Sequence, residues 1–455
     1  MLGSAVMQNA ESLLVLIAII LIGISWAYLI LRSFRSHLRT PTIRNESVGL
    51  AFPKPFVSII IPARNEEKNI EGCVLSLMKQ SYPNFEVVVV DDNSTDRTLQ
   101  ILRALQKKYL ARLKVISVRQ KPSEWAGKTW ASQQGYLQSK GDVLLFTDGD
   151  SRFEDCDTVA LSIRQMMVDK LDVLTGVPYL PLIDFWSKIV MPVWNLYSEV
   201  FGRGIGDAND PKSSVAFVMG SFFMVKRDVF MEVGTYESVR REINEDKLIG
   251  ALLKKGGYKV KMFKIDRQVS ALWSRNLLTL WQGLKRTIAP VAIERKSTAI
   301  SQQVAIFVMV LLPFLLLPFT IMLAREGNFE QLISAAVQSK WLIGSHPVDT
   351  VRDEVNSNML FQQLLERSML FQSMPFIADV LLCILVLTAV CIKGITKYRL
   401  VPVYFVFCLI GAVFLIAAYT CSVFPILFGN KTTFVQWRGR SQQLMVSKSP
   451  MQQES

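Results

Sequence analysis

Histidine is nearly missing: the 455 residues hold two, His37 and His346, far apart in sequence. An imidazole base or a histidine-rich metal site has no material here, so proton transfer falls to carboxylates. The six cysteines form no CxxC pair and no Cys/His group. Cys73 and Cys156 stand alone in polar sequence, and Cys383, Cys391, Cys408 and Cys421 lie in apolar runs. Neither zinc nor a disulfide framework is indicated. Charge is also scarce, at 20% of residues against about 25% in ordinary soluble domains. Half the residues are apolar and the mean hydropathy is positive, which disfavours a fully soluble or a disordered chain. Repeats and low-complexity tracts are lacking, apart from a polar last dozen residues. The charge that exists is lopsided, with 51 Lys+Arg against 38 Asp+Glu and a net +13. Such an excess attracts phosphates, anionic lipid or nucleic acid. Much of it flanks apolar runs, which argues against a nucleic-acid partner.

What is present begins with those runs. Leu13–Leu31 carries no charge and reaches about 28 Å as a helix, the depth of a bilayer core. Arg32, Arg35, His37 and Arg39 follow it, whereas Glu11 alone precedes it. The run is too long for a signal-peptide core and its charge lies on the wrong side for one. Residues 1–32 are therefore expected to be a transmembrane anchor with the Arg-rich end cytoplasmic. Three more runs, Val304–Leu323, Phe376–Ile392 and Leu400 to about Phe428 (core 400–421), make 301–428 a second membrane region. A basic tail, 429–455, follows. Simple alternation of four spans would put that tail outside, against the positive-inside rule. One run is then expected to be re-entrant or interfacial: Val304–Leu323, interrupted by Pro313 and Pro318, or alternatively Leu400–Phe428.

Between the runs lies a polar block, 54–300, sized for one α/β domain. Strands are predicted at Val57–Ile61, Glu86–Val90, Lys114–Val118 and Val143–Phe146. Helices are predicted at Glu67–Lys79, Thr95–Tyr109, Lys128–Ser139 and Cys156–Lys170. Alternating elements with near-continuous apolar strands imply a mostly parallel sheet covered on both faces. Ligands of such sheets bind beyond the carboxyl ends of the strands, and the polar clusters fall there. They are Pro62-Ala63-Arg64-Asn65-Glu66-Glu67, Asp91-Asp92-Asn93-Ser94-Thr95-Asp96 and Thr147-Asp148-Gly149-Asp150-Ser151. Asn93, Ser94 or Thr95 is expected to cap the helix after the second strand, with Asp96 favouring its positive end. Asp148 and Asp150 flank a glycine as two hard oxygen ligands, suited to Mg²⁺ or Mn²⁺. Glu245 and Asp246, after Asn244, read either as first-turn acids of a capped helix or as the base that the missing histidines leave vacant.

These segments, with Gly220-Ser221-Phe222-Phe223 and Asn244-Glu245-Asp246, stand in the order seen in family 2 glycosyltransferases. The stretch from Val57 to about Phe263 resembles their GT-A catalytic domain. Trp125-Ala126-Gly127-Lys128-Thr129-Trp130-Ala131 and Trp437-Arg438-Gly439-Arg440 are similar to membrane-bound members acting on lipids, such as carotenoid, hopanoid and ceramide glycosyltransferases. The resemblance implies an α/β, Rossmann-like GT-A domain with one N-terminal and two to three C-terminal transmembrane helices. It implies a nucleotide-sugar donor, UDP before GDP, a lipid acceptor and a single inverting displacement. By the same resemblance Ala63, Arg64, Glu66 and Asp92 line the nucleoside pocket. Asp148 faces ribose or metal and Asp150 holds the metal. Asp246 is the base, with Glu245 the alternative, and Lys128 pairs with the diphosphate. Processive members carry Gln-x-x-Arg-Trp, whereas this chain has Gln282-Gly283-Leu284-Lys285-Arg286-Thr287. A single transfer is therefore expected over a polymer, though synthesis of a polyprenyl-phosphate sugar and an inactive membrane scaffold remain rivals.

Two segments, near 184–201 and 270–291, gather tryptophans on one helical face: Trp186 and Trp194, then Trp273 and Trp281. Such segments are expected to be interfacial helices in the headgroup layer, the alternative being amphipathic helices packed on a core. Gly202–Ser214 reads as a mobile loop over the donor or as a plain linker. Trp273, Arg286, Arg438 and Arg440 are weaker candidates for contacts to acceptor or diphosphate. Sequence does not indicate the oligomeric state.

Overall fold

The computed structural model describes residues 2–43, 53–201, 205–210, 212–213, 215–325, 351–427, 433–437 and 440–444. At 2–9, 197–201, 205, 294, 351–372 and 433–444 it describes the backbone alone. After a long first helix, α1 (Leu2–Arg39), the chain alternates β1 (Val57–Ala63), α2 (Ile70–Met78), β2 (Phe85–Asp91) and α3 (Thr98–Lys108). It continues with β3 (Leu113–Ser117), α4 (Gly127–Leu137), β4 (Val143–Phe146), β5 (Ser151–Phe153), α5 (Thr158–Val168) and β6 (Val173–Val177). After α6 (Phe185–Phe201) come β7 (Phe223–Lys226), α7 (Arg227–Glu232), α8 (Glu245–Lys255), β8 (Val260–Lys264) and β9 (Val269–Ala271). The order in the main sheet is β3-β2-β1-β4-β7-β6-β8. All pairings are parallel except those of β7, which runs antiparallel to β4 and to β6.

Every residue of β1 is buried, as a strand covered by helices on both sides requires. Ile59, Ile61, Val87 and Val89 feed one core and Ile60, Leu144 and Phe146 the other. The first four predicted strands and helices are all present, with boundaries moved by a few residues. The parallel register aligns the ends of β1 and β2, Ala63 lying opposite Asp91. Hence the polar clusters that follow the two strands emerge side by side.

Among the described residues, four helices are long and apolar enough to cross a membrane: Ala10–Arg39, Lys296–Arg325, Ser373–Tyr398 and Pro402–Leu427. They pack against α6 and α9 (Leu277–Glu294), whose inward faces (Ile189, Val190, Val193, Leu280, Leu284, Ile288) are buried in one shared core. Trp186, Trp194, Trp273 and Trp281 are half-buried against that core.

Pro313 and Pro318 do not interrupt α10 (Lys296–Arg325). A π-helical turn at Phe307–Leu311 comes just before Pro313, which has no N–H for the carbonyl of Met309 four residues back. Trp26 of α1 supplies the donor instead, its Nε1 lying 2.9 Å from that carbonyl oxygen.

The segment expected as a mobile loop is a strap in its described part, Ile205–Asp210. Arg32 of α1 meets Asp207 at 3.1 Å and Arg39 meets Asp210 at 3.4 Å. Gly206 N donates to Ser36 Oγ at 2.9 Å. Asn209 exchanges two hydrogen bonds with the backbone of Met262 in β8. The basic end of the anchor is thereby fastened to the sheet edge.

Trp26 is buried, so Trp26→Phe keeps the apolar ring and orphans the Met309 carbonyl. The variant is expected to lose about 1–2 kcal/mol of stability, read as a lowered unfolding temperature in detergent. An unchanged temperature would show that the carbonyl is satisfied elsewhere.

Candidate active site

One wall of the site is the joined ends of β1 and β2. Each strand runs into an asparagine in the left-handed region, Asn65 at φ 52° and Asn93 at φ 53°. Asparagine tolerates this because its short side chain bonds locally. The two loops are then stitched together. Asn65 Oδ1 accepts from Thr95 N at 2.8 Å, Ser94 Oγ accepts from Asn65 N at 3.0 Å, and Thr98 Oγ1 accepts from Glu66 N at 2.7 Å. Asp96 accepts from Thr98 N at 2.9 Å and from Glu67 N at 3.1 Å, lying at the positive end of α3 just before its N-cap position, Arg97. Thr95 does not cap, and serves instead as a stitch.

Among the predicted nucleoside-pocket residues, Ala63, Arg64, Glu66 and Asp92 are all buried at this edge. Arg64 Nη1 donates to the carbonyls of Asp92 at 2.5 Å and Asn93 at 2.8 Å. Its guanidinium thus braces the end of β2 and shapes the pocket floor. Glu66 accepts from Asn69 Nδ2 at 2.8 Å, and Asn69 in turn accepts from Arg275. Burial raises the Asp91 carboxyl above its usual range. Among the described residues, its Oδ1 is buried without a hydrogen-bond partner.

The opposite wall joins β4, α4 and α8. Lys128, in the first turn of α4, lies between two carboxylates, 2.8 Å from Asp148 Oδ1 and 3.0 Å from Glu245 Oε1. Burial alone would lower the pKa of this ammonium; Asp148, Glu245 and Asp246 together hold it well above the ordinary value. Asn244 occupies the N-cap position of α8, but its side chain makes no capping bond. Asp246 Oδ1 accepts from Lys247 N at 2.8 Å. Burial and then repulsion by Glu245 raise the Asp246 carboxyl to about 7, with Lys128 opposing.

Backbone bonds hold this wall together. Arg240 O accepts from Ala126 N at 2.6 Å and from Thr129 Oγ1 at 2.8 Å. Val218 N donates to Asp246 O at 3.1 Å, and Thr147 Oγ1 to Ser221 O at 2.7 Å. Gly250 lets α8 lie against this segment, since a Cβ there would sit 2.4 Å from the Phe217 Cα.

Cys73 links the walls. Its buried thiol is pushed far up, first by burial and then by the charges of Asp150, Glu66 and Asp148. Three carboxylates from two strand ends therefore converge on one place. Adding Glu245 and Asp246 leaves a site rich in hard oxygen donors with one ammonium, Lys128, among them. Hard oxygen donors of this kind are the ones that divalent ions prefer.

Other candidates lie elsewhere. Trp273 packs beneath Gly283 on α9, serving the helix layer. Arg286 is half-buried on α9, one turn before Ala289, which packs against Ile243 two residues from Glu245. Arg438 lies outside the described residues, and of Arg440 only the backbone is described, opposite Trp437 in a hairpin. Sequence reasoning missed Tyr236, buried close enough to Glu245 and Lys128 to feel both charges, and the bracing carbonyl of Arg240. Neither carries a local signal, because both act through contacts made only on folding.

Residues 58–234 match the model of glycosyl transferase family 2. That segment is a family 2 glycosyltransferase domain. The chain is similar to known glycosyltransferases. It is 26% identical over 211 residues to the probable glycosyltransferase YdaM of Bacillus subtilis (strain 168), covering 46% of this chain and 49% of that protein. It is 28% identical over 218 residues to the 4,4'-diaponeurosporenoate glycosyltransferase of Staphylococcus aureus (strain N315), covering 48% and 54%. The chain thus spans about half the length of these curated relatives. Among solved structures, the mannosyltransferase PcManGT of Pyrobaculum calidifontis, in complex with GDP-Man and Mn²⁺, aligns at 16% identity with a TM-score of 0.44, over 81% of this chain and 99% of that one. The glucosyl-3-phosphoglycerate synthase of Mycobacterium tuberculosis, with Mn²⁺ and UDP-glucose, aligns at 17% identity and a TM-score of 0.36, over 52% and 78%.

Lys128→Met removes the cation from among Asp148, Glu245 and Asp246. Lys128 opposes the rise of the Asp246 carboxyl, so without it that carboxyl takes up its proton in the folded state at a still higher pH than in the unfolded chain, and the variant loses stability as pH rises. The expected loss is on the order of 2 kcal/mol at pH 8 and smaller at pH 5, checked by unfolding temperatures at both. A deficit independent of pH would mean that Lys128 contributes packing and not charge.

Proposed function

We propose that this protein is a membrane-bound inverting glycosyltransferase that moves one sugar from a nucleotide-sugar, UDP-linked by resemblance, to the hydroxyl of a membrane lipid. The observation that carries the reading is the Lys128 ammonium held between Asp148 and Glu245. It joins the carboxylates assigned to the donor with those assigned to the acceptor in a single cluster. The lipid acceptor draws on likeness to the diaponeurosporenoate enzyme and on the contact of α9, from the apolar helix layer, with Ile243 beside the base.

In this reading Ala63, Arg64, Glu66 and Asp92 receive the nucleoside, and Asp148 and Asp150 hold the metal beside the diphosphate. What a bound Mg²⁺ or Mn²⁺ supplies is neutralisation of charge on the leaving nucleoside diphosphate. Lys128 adds a second positive charge at the same place. Asp246 takes the proton of the acceptor hydroxyl while that oxygen bonds to the anomeric carbon from the face opposite the departing diphosphate. One bond forms as one breaks, so the configuration inverts. A carboxyl raised to about 7 is poised for this proton at neutral pH. In this reading the positive-inside rule assigns the catalytic domain to the cytoplasmic side, with the basic end of α1.

Asp150→Ala is expected to abolish metal-dependent binding of the donor, seen as loss of its thermal stabilisation. Asp246→Asn is expected to keep that stabilisation and lose about 10²–10⁴-fold in turnover. Normal donor binding by the first variant would refute the metal assignment, and near-normal turnover by the second would refute the base.

Because Asp246 must be ionised to accept a proton, turnover is expected to rise about tenfold per pH unit up to about pH 7 and then level off. Glu245→Gln removes the repulsion that raises Asp246, so the bend in its pH profile should move to lower pH. A dead Glu245→Gln enzyme beside an active Asp246→Asn one would make Glu245 the base instead.

A further inference from the structure

The fourth apolar helix, α12 (Cys408–Leu427), is long enough to cross a bilayer, yet its contacts point elsewhere. Its neighbours along its whole length are α6, α9 and the first half of α10. Its approach segment meets α6, with Tyr404 accepting from Lys188 at 3.2 Å and Phe407 edge-on to Phe185. Gly411 follows, so close to α6 that a Cβ would lie 2.2 Å from the Ile189 carbonyl oxygen. Phe414 then meets Trp186 and Trp281, and Tyr419 meets Trp194.

Both α6 and α9 lie across the catalytic domain. Tyr179, just before α6, is hydrogen-bonded to the backbone of Val269 and Ala271 in β9. The strap that follows α6 is bonded to Met262 of β8. Arg275, just before α9, bonds to Asn69 beside the site, and Ala289 near its far end packs on Ile243. A helix lying along both shares their plane.

The ends of α12 agree. Before it, Arg399 stacks on Tyr179 of the catalytic domain. After it, the strand Thr433–Trp437 packs back onto α9. A helix of 20 residues rises about 30 Å, so a crossing would carry its far end to the opposite surface. The six steps of chain from Leu427 to Thr433 span at most about 22 Å.

We infer that α12 lies in the catalytic-side leaflet, with α6 and α9, and does not cross the membrane. Its partner is the acyl-chain layer of that leaflet, met by Ile410, Val413, Phe424 and Leu427, which are 40–56% exposed on the face away from the protein. The helix carries no charge, which suits a position below the headgroups, continuous with the exposed apolar faces of α1, α10 and α11 (Val351–Tyr398). Among the described residues the crossings are then three, through α1, α10 and α11. Arg32, Arg35, Arg39, Lys393, Lys397 and Arg399 fall with the basic tail on one side, as the positive-inside rule requires. The inference rests on helix placement and not on the reaction proposed above.

Sidedness is the test. In sealed vesicles of known orientation, a membrane-impermeant maleimide is applied to the full-length protein. Native Cys156, exposed on the catalytic domain, is the reference thiol. The thiol introduced by Ser455→Cys is expected to react in the same vesicles as Cys156, and that introduced by Gly3→Cys only in vesicles of the opposite orientation. Reaction of Ser455→Cys on the Gly3→Cys side, or equally from both sides, would overturn the inference. Spin labels at Ile410→Cys and Phe424→Cys, in a background with Cys156, Cys391 and Cys421 replaced by serine, give a second reading. The two positions are about 21 Å apart along the helix. Equal depths by oxygen and nickel accessibility support an in-plane helix, and depths differing by most of that length refute it.

Discussion

The active site depends on the compensation of negative charge. Carboxylates of Glu66, Asp148, Asp150, Glu245 and Asp246 come from three separate stretches of chain and are gathered at one sheet edge, which isolated anions would resist. Lys128 makes the arrangement tenable without a ligand by bridging Asp148 and Glu245. Its helix is held in place by the Arg240 carbonyl, in the same stretch that leads into Glu245 and Asp246. The charge balance and the backbone bonding thus reinforce each other. A bound ion and a diphosphate would enter this balance as further partners, which ties ligand affinity to the protonation of the cluster.

The two walls differ in how they are built. The β1/β2 wall is rigid through many short side-chain-to-backbone bonds between loops about thirty residues apart in sequence. The α4/α8 wall depends on fewer backbone bonds and on the ionic bridge itself. Asymmetry of this kind suits a site in which one substrate is recognised by shape and the other is activated by charge.

Much of the fold was legible in the sequence, and the reason is physical. Strands buried on both faces must be apolar throughout, and in parallel sheets the polar clusters follow at their carboxyl ends. Hence β1 to β4 and the acidic runs after them could be read directly. The ion pairing of Lys128, the bracing of β2 by Arg64 and the burial of Tyr236 could not, because each joins segments that only folding brings together. The tryptophan faces of α6 and α9 were legible as apolar, but sequence alone did not distinguish cover by lipid from cover by other helices. Pro313 illustrates the same limit. As a sequence feature it reads as a helix breaker, and the donor that makes it tolerable, Trp26, lies on another helix.

The strap between α1 and β8 has a mechanical consequence. An anchor on a flexible tether would let its enzyme hover at any height and tilt above the surface. Here Arg32, Arg39, Ser36 and Asn209 weld the first membrane helix to the sheet edge, fixing the altitude and attitude of the catalytic domain. A bilayer that thickens or thins would therefore tip the whole domain and not merely stretch a leash, making membrane thickness a variable to which the site is geared.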